Sequence, residues 1–141
     1  MNMARVRELS LLVALVVVAG CGGSGPTGSN GPESPPPPQA NDVEILSGAS
    51  SRGSGAFDPN PKTVALAGAA DATVRWVNLD TSSDGYSTFG VTHRIRSNDG
   101  TSFDTGDIVG NDAVTKTLTA GTYAYHCVHH PAMTGTVNVT P

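Results

Sequence analysis

The chain has 141 residues, with 14% charged, 5% aromatic, 17 Gly and 10 Pro. That length gives one domain plus appended segments, and low charge with many turn formers and Thr/Val pairs points to an all-β domain. A formal net charge of −4 argues against a nucleic-acid binder, which needs clustered Lys and Arg.

The start of the chain has the make-up of an export signal. Arg5 and Arg7 provide a positive beginning, residues 9–18 form an apolar run broken only by Ser10, and the small residues Ala19 and Gly20 follow. The run is too short for a membrane-spanning helix, which takes about 20 apolar residues. Val18-Ala19-Gly20-Cys21 resembles the lipobox of bacterial lipoproteins. The resemblance implies cleavage before Cys21 and lipidation of its thiol; the competing reading is an ordinary signal with an incidental cysteine. Several acyl chains anchor a protein stably, whereas one holds only marginally.

Residues 22–41 carry Gly-Ser-Gly pieces and the block Pro35-Pro36-Pro37-Pro38, with no apolar periodicity. Such a segment has nothing to bury and reads as a disordered linker, stiffened by a short polyproline II stretch. The expected organisation is therefore a signal peptide over 1–20, Cys21 plus linker over 21–41, and a folded domain over 42–141.

Within the domain, strand-like runs recur at 43–46, 63–66, 73–78, 91–96, 113–118, 122–127 and 134–139, separated by breakers such as Asp58-Pro59-Asn60-Pro61, Gly68, Asp84-Gly85, Asp99-Gly100 and Ala120-Gly121. No sustained helical period follows the signal. Seven short strands over about 100 residues suit a β-sandwich. Strand parity places Tyr123, Tyr125 and Cys127 on one face and Thr122, Ala124 and His126 on the other. The aromatic face is the core face, so Cys127 points inward at a strand end. Val74 and Trp76 share a face, as do Val137 and Val139.

The chemistry concentrates in Tyr123-Ala-Tyr-His-Cys-Val-His-His-Pro-Ala-Met133. The two cysteines would first suggest a disulfide, but Cys21 and Cys127 each have a separate explanation. Cys127, His130 and Met133 stand at C-x-x-H-x-x-M spacing, and His93 lies upstream in a strand-like run. Two imidazoles, a thiolate and a weak thioether form the donor set of a blue-copper site. Thiolate and thioether suit Cu(I) and imidazole suits both oxidation states, so little rearranges on electron transfer. His129, at C-x-H, competes with His130; the Pro-x-Met that follows His130 favours the latter. His126 falls on the solvent face. Zinc is the rival metal for Cys and His, but methionine is a poor zinc ligand and the spacing matches no common zinc motif.

These residues carry a resemblance to the small cupredoxins: plastocyanin, pseudoazurin, halocyanin and, in loop spacing, amicyanin. The resemblance covers roughly residues 56–139. It rests on Phe57-Asp-Pro59, Val74-Arg-Trp76-Val-Asn78-Leu-Asp80, Val91-Thr-His93, Ser102-Phe-Asp-Thr-Gly106, Gly121-Thr-Tyr-Ala-Tyr-His-Cys127 and His130-Pro-Ala-Met133-Thr-Gly135-Thr-Val137. It implies a Greek-key β-sandwich or barrel of the cupredoxin type, one copper per chain held by His93, Cys127, His130 and axial Met133, and single-electron transfer rather than catalysis. Two features depart from the family. An Asn that braces the Cys loop often follows the first His ligand, and Arg94 stands there instead. The loop from Asp80 to Thr92 is longer than usual and brings Tyr86 and Phe89 towards His93.

Asp80, Asp84, Asp99, Asp104, Asp107 and Asp112 read as turn residues rather than a second metal site, and Trp76, Tyr123 and Tyr125 as core aromatics. No carboxylate pair or phosphate-binding loop indicates nucleophilic catalysis. The functional expectation is a monomeric type 1 copper protein that is exported and lipid-anchored to the cell envelope membrane, facing periplasm or exterior. It would carry electrons between a membrane-associated donor and acceptor. The alternatives are a copper storage or delivery protein and, third, a copper-dependent oxidoreductase.

Overall fold

A computed structural model of the chain describes residues 34–83, 85 and 89–141. The expected signal, Cys21 and most of the linker lie outside the described residues, as do Asp84 and Tyr86. Among these residues nine strands follow one another: β1 (Asp42–Ile45), β2 (Phe57–Asp58), β3 (Lys62–Ala65), β4 (Asp71–Asn78), β5 (His93–Ser97), β6 (Asp104–Ile108), β7 (Ala113–Thr119), β8 (Gly121–Cys127) and β9 (Thr134–Thr140). Two short 3-10 turns, Ala49–Ser51 and Gly53–Ala56, join β1 to β2. Among the described residues no helix is long and apolar enough to cross a membrane.

The strands form two sheets, ordered β2-β1-β4-β7 and β3-β9-β8-β5-β6. The β1/β4 and β3/β9 pairs are parallel; the others are antiparallel. All seven strand-like runs read from the sequence form strands. Two strands were not foreseen. β2 has two residues. β6 carries Thr105-Gly106-Asp107, a run without apolar alternation, and is made workable by a backbone device. Thr105 Oγ1 accepts the Ile95 N–H at 2.9 Å and donates to the Gly106 carbonyl at 2.7 Å, where the β5/β6 register shifts. Asp104 and Asp107 therefore lie in a strand and not in turns. Asp99 does organise a turn, accepting the Thr101 and Ser102 N–H groups at 2.9 Å each.

Alternation along the strands builds the core. Val74 and Trp76 of β4, Tyr125 and Cys127 of β8, and Val137 and Val139 of β9 are buried together. Trp76 is the centre of an aromatic cluster. It stacks on Phe103 with centroids 4.7 Å apart and meets Tyr125 edge-on at 5.7 Å, while Phe57 meets Tyr125 at 5.0 Å. Gly135 pairs with Tyr125 across β8 and β9. Any Cβ there would come within 2.4 Å of the Tyr125 ring, so only glycine lets the ring lie flat over its neighbour. Tyr123, two residues nearer the strand start, is half-buried and donates its hydroxyl to the Thr119 carbonyl at 3.0 Å.

Ahead of β1 the chain is already tied to the barrel. Arg75 donates to the Pro37 carbonyl at 2.7 Å, Lys62 to the Ala40 carbonyl at 2.6 Å, and the Asn41 amide to the Thr73 carbonyl at 3.1 Å. The last residues of the expected linker thus run along the surface of β3 and β4.

Candidate metal centre

Register brings the donors to one end of the sandwich. β5 runs antiparallel to β8, and Ile95 faces Cys127. His93 begins β5 two residues earlier, so its side chain shares the Ile95 face and sits just beyond the end of β8. Cys127 closes β8, and residues 128–133 form the return loop to β9. That loop is pinned tightly: the Met133 N–H donates to the His130 carbonyl at 2.9 Å, and the Cys127 N–H to the Met133 carbonyl at 3.0 Å.

The result is a compact donor group. Cys127 Sγ lies 3.6 Å from His93 Nδ1 and 3.6 Å from His130 Nδ1, and the three donor atoms all fall within 4.8 Å of one another. The two imidazole centroids are 5.0 Å apart. With metal–nitrogen bonds near 2.0 Å and a metal–sulfur bond near 2.3 Å, a trigonal angle separates N from S by about 3.7 Å. The spacing therefore fits a single ion shared by the three donors, and a thiolate with two imidazoles is suited to copper. His93 and Cys127 are fully buried and His130 is half-buried. Met133 is also fully buried, at the foot of the loop. The neighbouring histidines are occupied elsewhere. His129 Nε2 meets Asp107 at 2.8 Å, and His126 Nδ1 meets Asn98 at 2.7 Å on the opposite strand face.

The fold now has counterparts. No protein-family model and no curated protein sequence matches the chain, but solved structures do. A purple cupredoxin from Nitrosopumilus maritimus superposes with a TM-score of 0.55 at 24% identity, over 70% of this chain and 98% of that one. The chain has the cupredoxin fold. An amicyanin point mutant in its reduced Cu(I) form gives a TM-score of 0.51 at 23% identity, over 73% of this chain and 84% of that one. An oxidised amicyanin mutant gives 0.50 at 22% identity, over 71% and 81%.

Within this fold, the surroundings of His93 are the least expected part. The Arg94 side chain takes no part in bracing the cysteine loop; it forms a two-pronged pair with Asp104 at 2.9 and 2.8 Å, which holds the Asp104 carboxyl down to about 2. The loop is braced by the Arg94 backbone instead, whose carbonyl accepts the Val128 N–H at 2.7 Å.

Sequence reasoning read Asp80 as a turn residue; it is fully buried against His93, with Oδ2 3.1 Å from Nε2. Burial pushes the Asp80 carboxyl up, but hydrogen bonds from Ser82, Gly48 and His93 outweigh it and hold the group below the usual carboxylate range. Burial drives the His93 imidazole down, beyond what Asp80 restores. The pair is therefore an ionised carboxylate and a neutral imidazole. Nε2–H is donated to Asp80, leaving the Nδ1 lone pair for a metal. Asn78 completes the support. Its amide donates to the Val91 and Ile108 carbonyls at 2.8 Å each, and its Oδ1 accepts the Asp80 N–H at 2.9 Å. Gly90 lets the long loop close on this group, since at φ +90° a Cβ there would stand 2.3 Å from the Asp80 carbonyl oxygen. A sequence signal for both residues existed. Positions 78 and 80 continue the inward parity of Val74 and Trp76, which puts two polar side chains on the core side.

Proposed function

We propose that the chain is a type 1 copper protein that carries single electrons between redox partners at a membrane surface. The observation that carries this reading is the equal 3.6 Å separation of Cys127 Sγ from the Nδ1 atoms of His93 and His130. A copper ion bound there supplies a one-electron Cu(II)/Cu(I) couple. Cys127, His93 and His130 would hold it, with the buried Met133 as a weaker fourth donor. The packed strands fix Cys127 and His93 in place, so the donors need not rearrange between oxidation states. That rigidity keeps the cost of each transfer low.

His130 differs from the other two donors in reaching the surface. Around it Val128, Pro131 and Ala132 are exposed, and this small apolar rim would be where partners dock, with the His130 ring as the exit for the electron. Amicyanin, one of the structural counterparts, has been solved in oxidised and in reduced Cu(I) forms, as a carrier requires. Lipidation at Cys21, which rests on the sequence of the leader alone, would hold the domain near membrane-bound donors and acceptors and raise their effective concentration without a new contact.

Cycling separates a carrier from a storage or delivery protein. The copper-loaded protein, taken through repeated one-electron reduction and reoxidation beside a strong Cu(I) chelator, is expected to keep its copper and regain its full visible spectrum each time. Transfer of the copper to the chelator on the first reduction would overturn the carrier reading in favour of delivery.

A further inference from the structure

The carboxylate behind His93 does more than the fold requires. Asp80 Oδ1 accepts the Gly48 N–H at 2.9 Å, the Ser82 N–H at 3.3 Å and the Ser82 hydroxyl. Oδ2 accepts the Ala49 N–H at 3.1 Å and faces His93 Nε2 at 3.1 Å. Five donors converge on one side chain with no exposure to solvent. Burying an ionised carboxylate costs several kcal/mol unless it is well hydrogen-bonded, and this one is placed where the bonds are sufficient. Any neutral acceptor, a backbone carbonyl included, would orient the His93 ring and fix its tautomer. A carboxylate adds a negative charge to the far side of the ligand ring, and that charge has no other partner: no Lys or Arg forms an ion pair with Asp80 among the described residues.

We infer that Asp80 is a positioning and tuning residue which, through His93, stabilises the more highly charged oxidation state of the bound metal and so sets the reduction potential low. The inference rests on the copper reading above. An imidazole that donates to a carboxylate is a stronger base and a better ligand to a dication. The gain is smaller for Cu(I), which carries one charge less, so the difference between the two affinities is what the potential reads. Ser82 is the moderator of this effect. Its hydroxyl and N–H draw charge to Oδ1, away from the oxygen that faces His93.

The two residues therefore make opposite predictions. Asp80→Asn keeps the shape and removes the charge. Cu(II) affinity is expected to fall about 10–100-fold and Cu(I) affinity to change less. Each tenfold of that difference raises the one-electron potential by about 59 mV. Ser82→Ala leaves the carboxylate in place and removes one donor, so the potential is expected to fall. The experiment measures the potential and the visible spectrum of the copper-loaded full chain for wild type and both variants at one pH. A rise for Asp80→Asn with a fall for Ser82→Ala establishes the assignment. Potentials that stay at the wild-type value, or that both rise, overturn it, because a merely loosened loop would move both variants the same way. If Asp80→Asn fails to fold, Ser82→Ala decides alone: a fall supports the assignment and an unchanged or raised potential rejects it. A wild-type protein without the intense visible band overturns the copper reading itself, and the inference with it.

Discussion

Cys127→Ser is expected to abolish the visible colour of the copper-loaded protein completely. The intense absorption of a site of this kind comes from charge transfer out of a thiolate into copper, and a serine oxygen is too hard a donor to give it. Cys127 is the free cysteine among the described residues, and it is fully buried at the end of β8 between two imidazoles, so no other thiol among those residues can take its place. The change is also nearly isosteric, which keeps the β5/β8 pairing and the Met133 carbonyl contact intact. Loss of the band would then report on ligation and not on unfolding, as a far-ultraviolet circular dichroism spectrum of the variant would verify. His126→Ala is the matched control. That ring lies one residue away but on the other strand face, bonded to Asn98, and its removal is expected to leave the band in place. An intense band that survived in the Cys127 variant would refute the ligand assignment.

The largest effect on stability is expected from Trp76→Ala. The Trp76 side chain is fully buried, stacked on Phe103 and edge-on to Tyr125, and it lies in β4, the strand that leads to Asn78 and Asp80. Truncating a buried Trp to Ala costs about 3–5 kcal/mol through lost transfer energy and the cavity left behind. For a domain of this size that lowers the melting temperature by roughly 4–8 °C per kcal/mol, so the variant would be largely unfolded at physiological temperature. Trp76→Phe is expected to cost about half as much or less. It keeps an aromatic ring in the cluster and removes an indole N–H that is buried without a hydrogen-bond partner, a group that is costly to leave unmade. Equal losses for Ala and Phe in thermal unfolding would contradict the view that the cavity dominates.

What the sequence revealed and what it hid divide along the range of the contacts. The loop from Cys127 to Met133 was legible because its chemistry is local: three donor types at fixed spacing, directly after a strand whose alternation orients the cysteine. The seven strands read from the sequence were legible for the same reason, as period-two patterns between Gly, Pro and Asp breakers. β6 was hidden because Thr105, Gly106 and Asp107 show no apolar alternation; it is a strand through its pairing with β5. Asp80 was hidden because its role is assembled from distant pieces. Gly48 and Ala49 come from the turn after β1, Ser82 from its own loop and His93 from β5, so that its own neighbourhood in sequence signals only its inward parity and not its partners. Arg94 shows the reverse case: its side chain turns to Asp104 and the backbone carbonyl of the same residue accepts the Val128 N–H, a contact that side-chain identity does not signal.

Titration of Cu(II) into the metal-free protein, followed by visible absorption and electron paramagnetic resonance, tests the central claim most directly. The geometry around Cys127 predicts one equivalent bound per chain, an intense thiolate-to-copper band that saturates at that equivalent, and a copper hyperfine splitting narrowed by delocalisation onto sulfur. A weak ligand-field band with wide hyperfine splitting, or binding without involvement of the thiol, would contradict it.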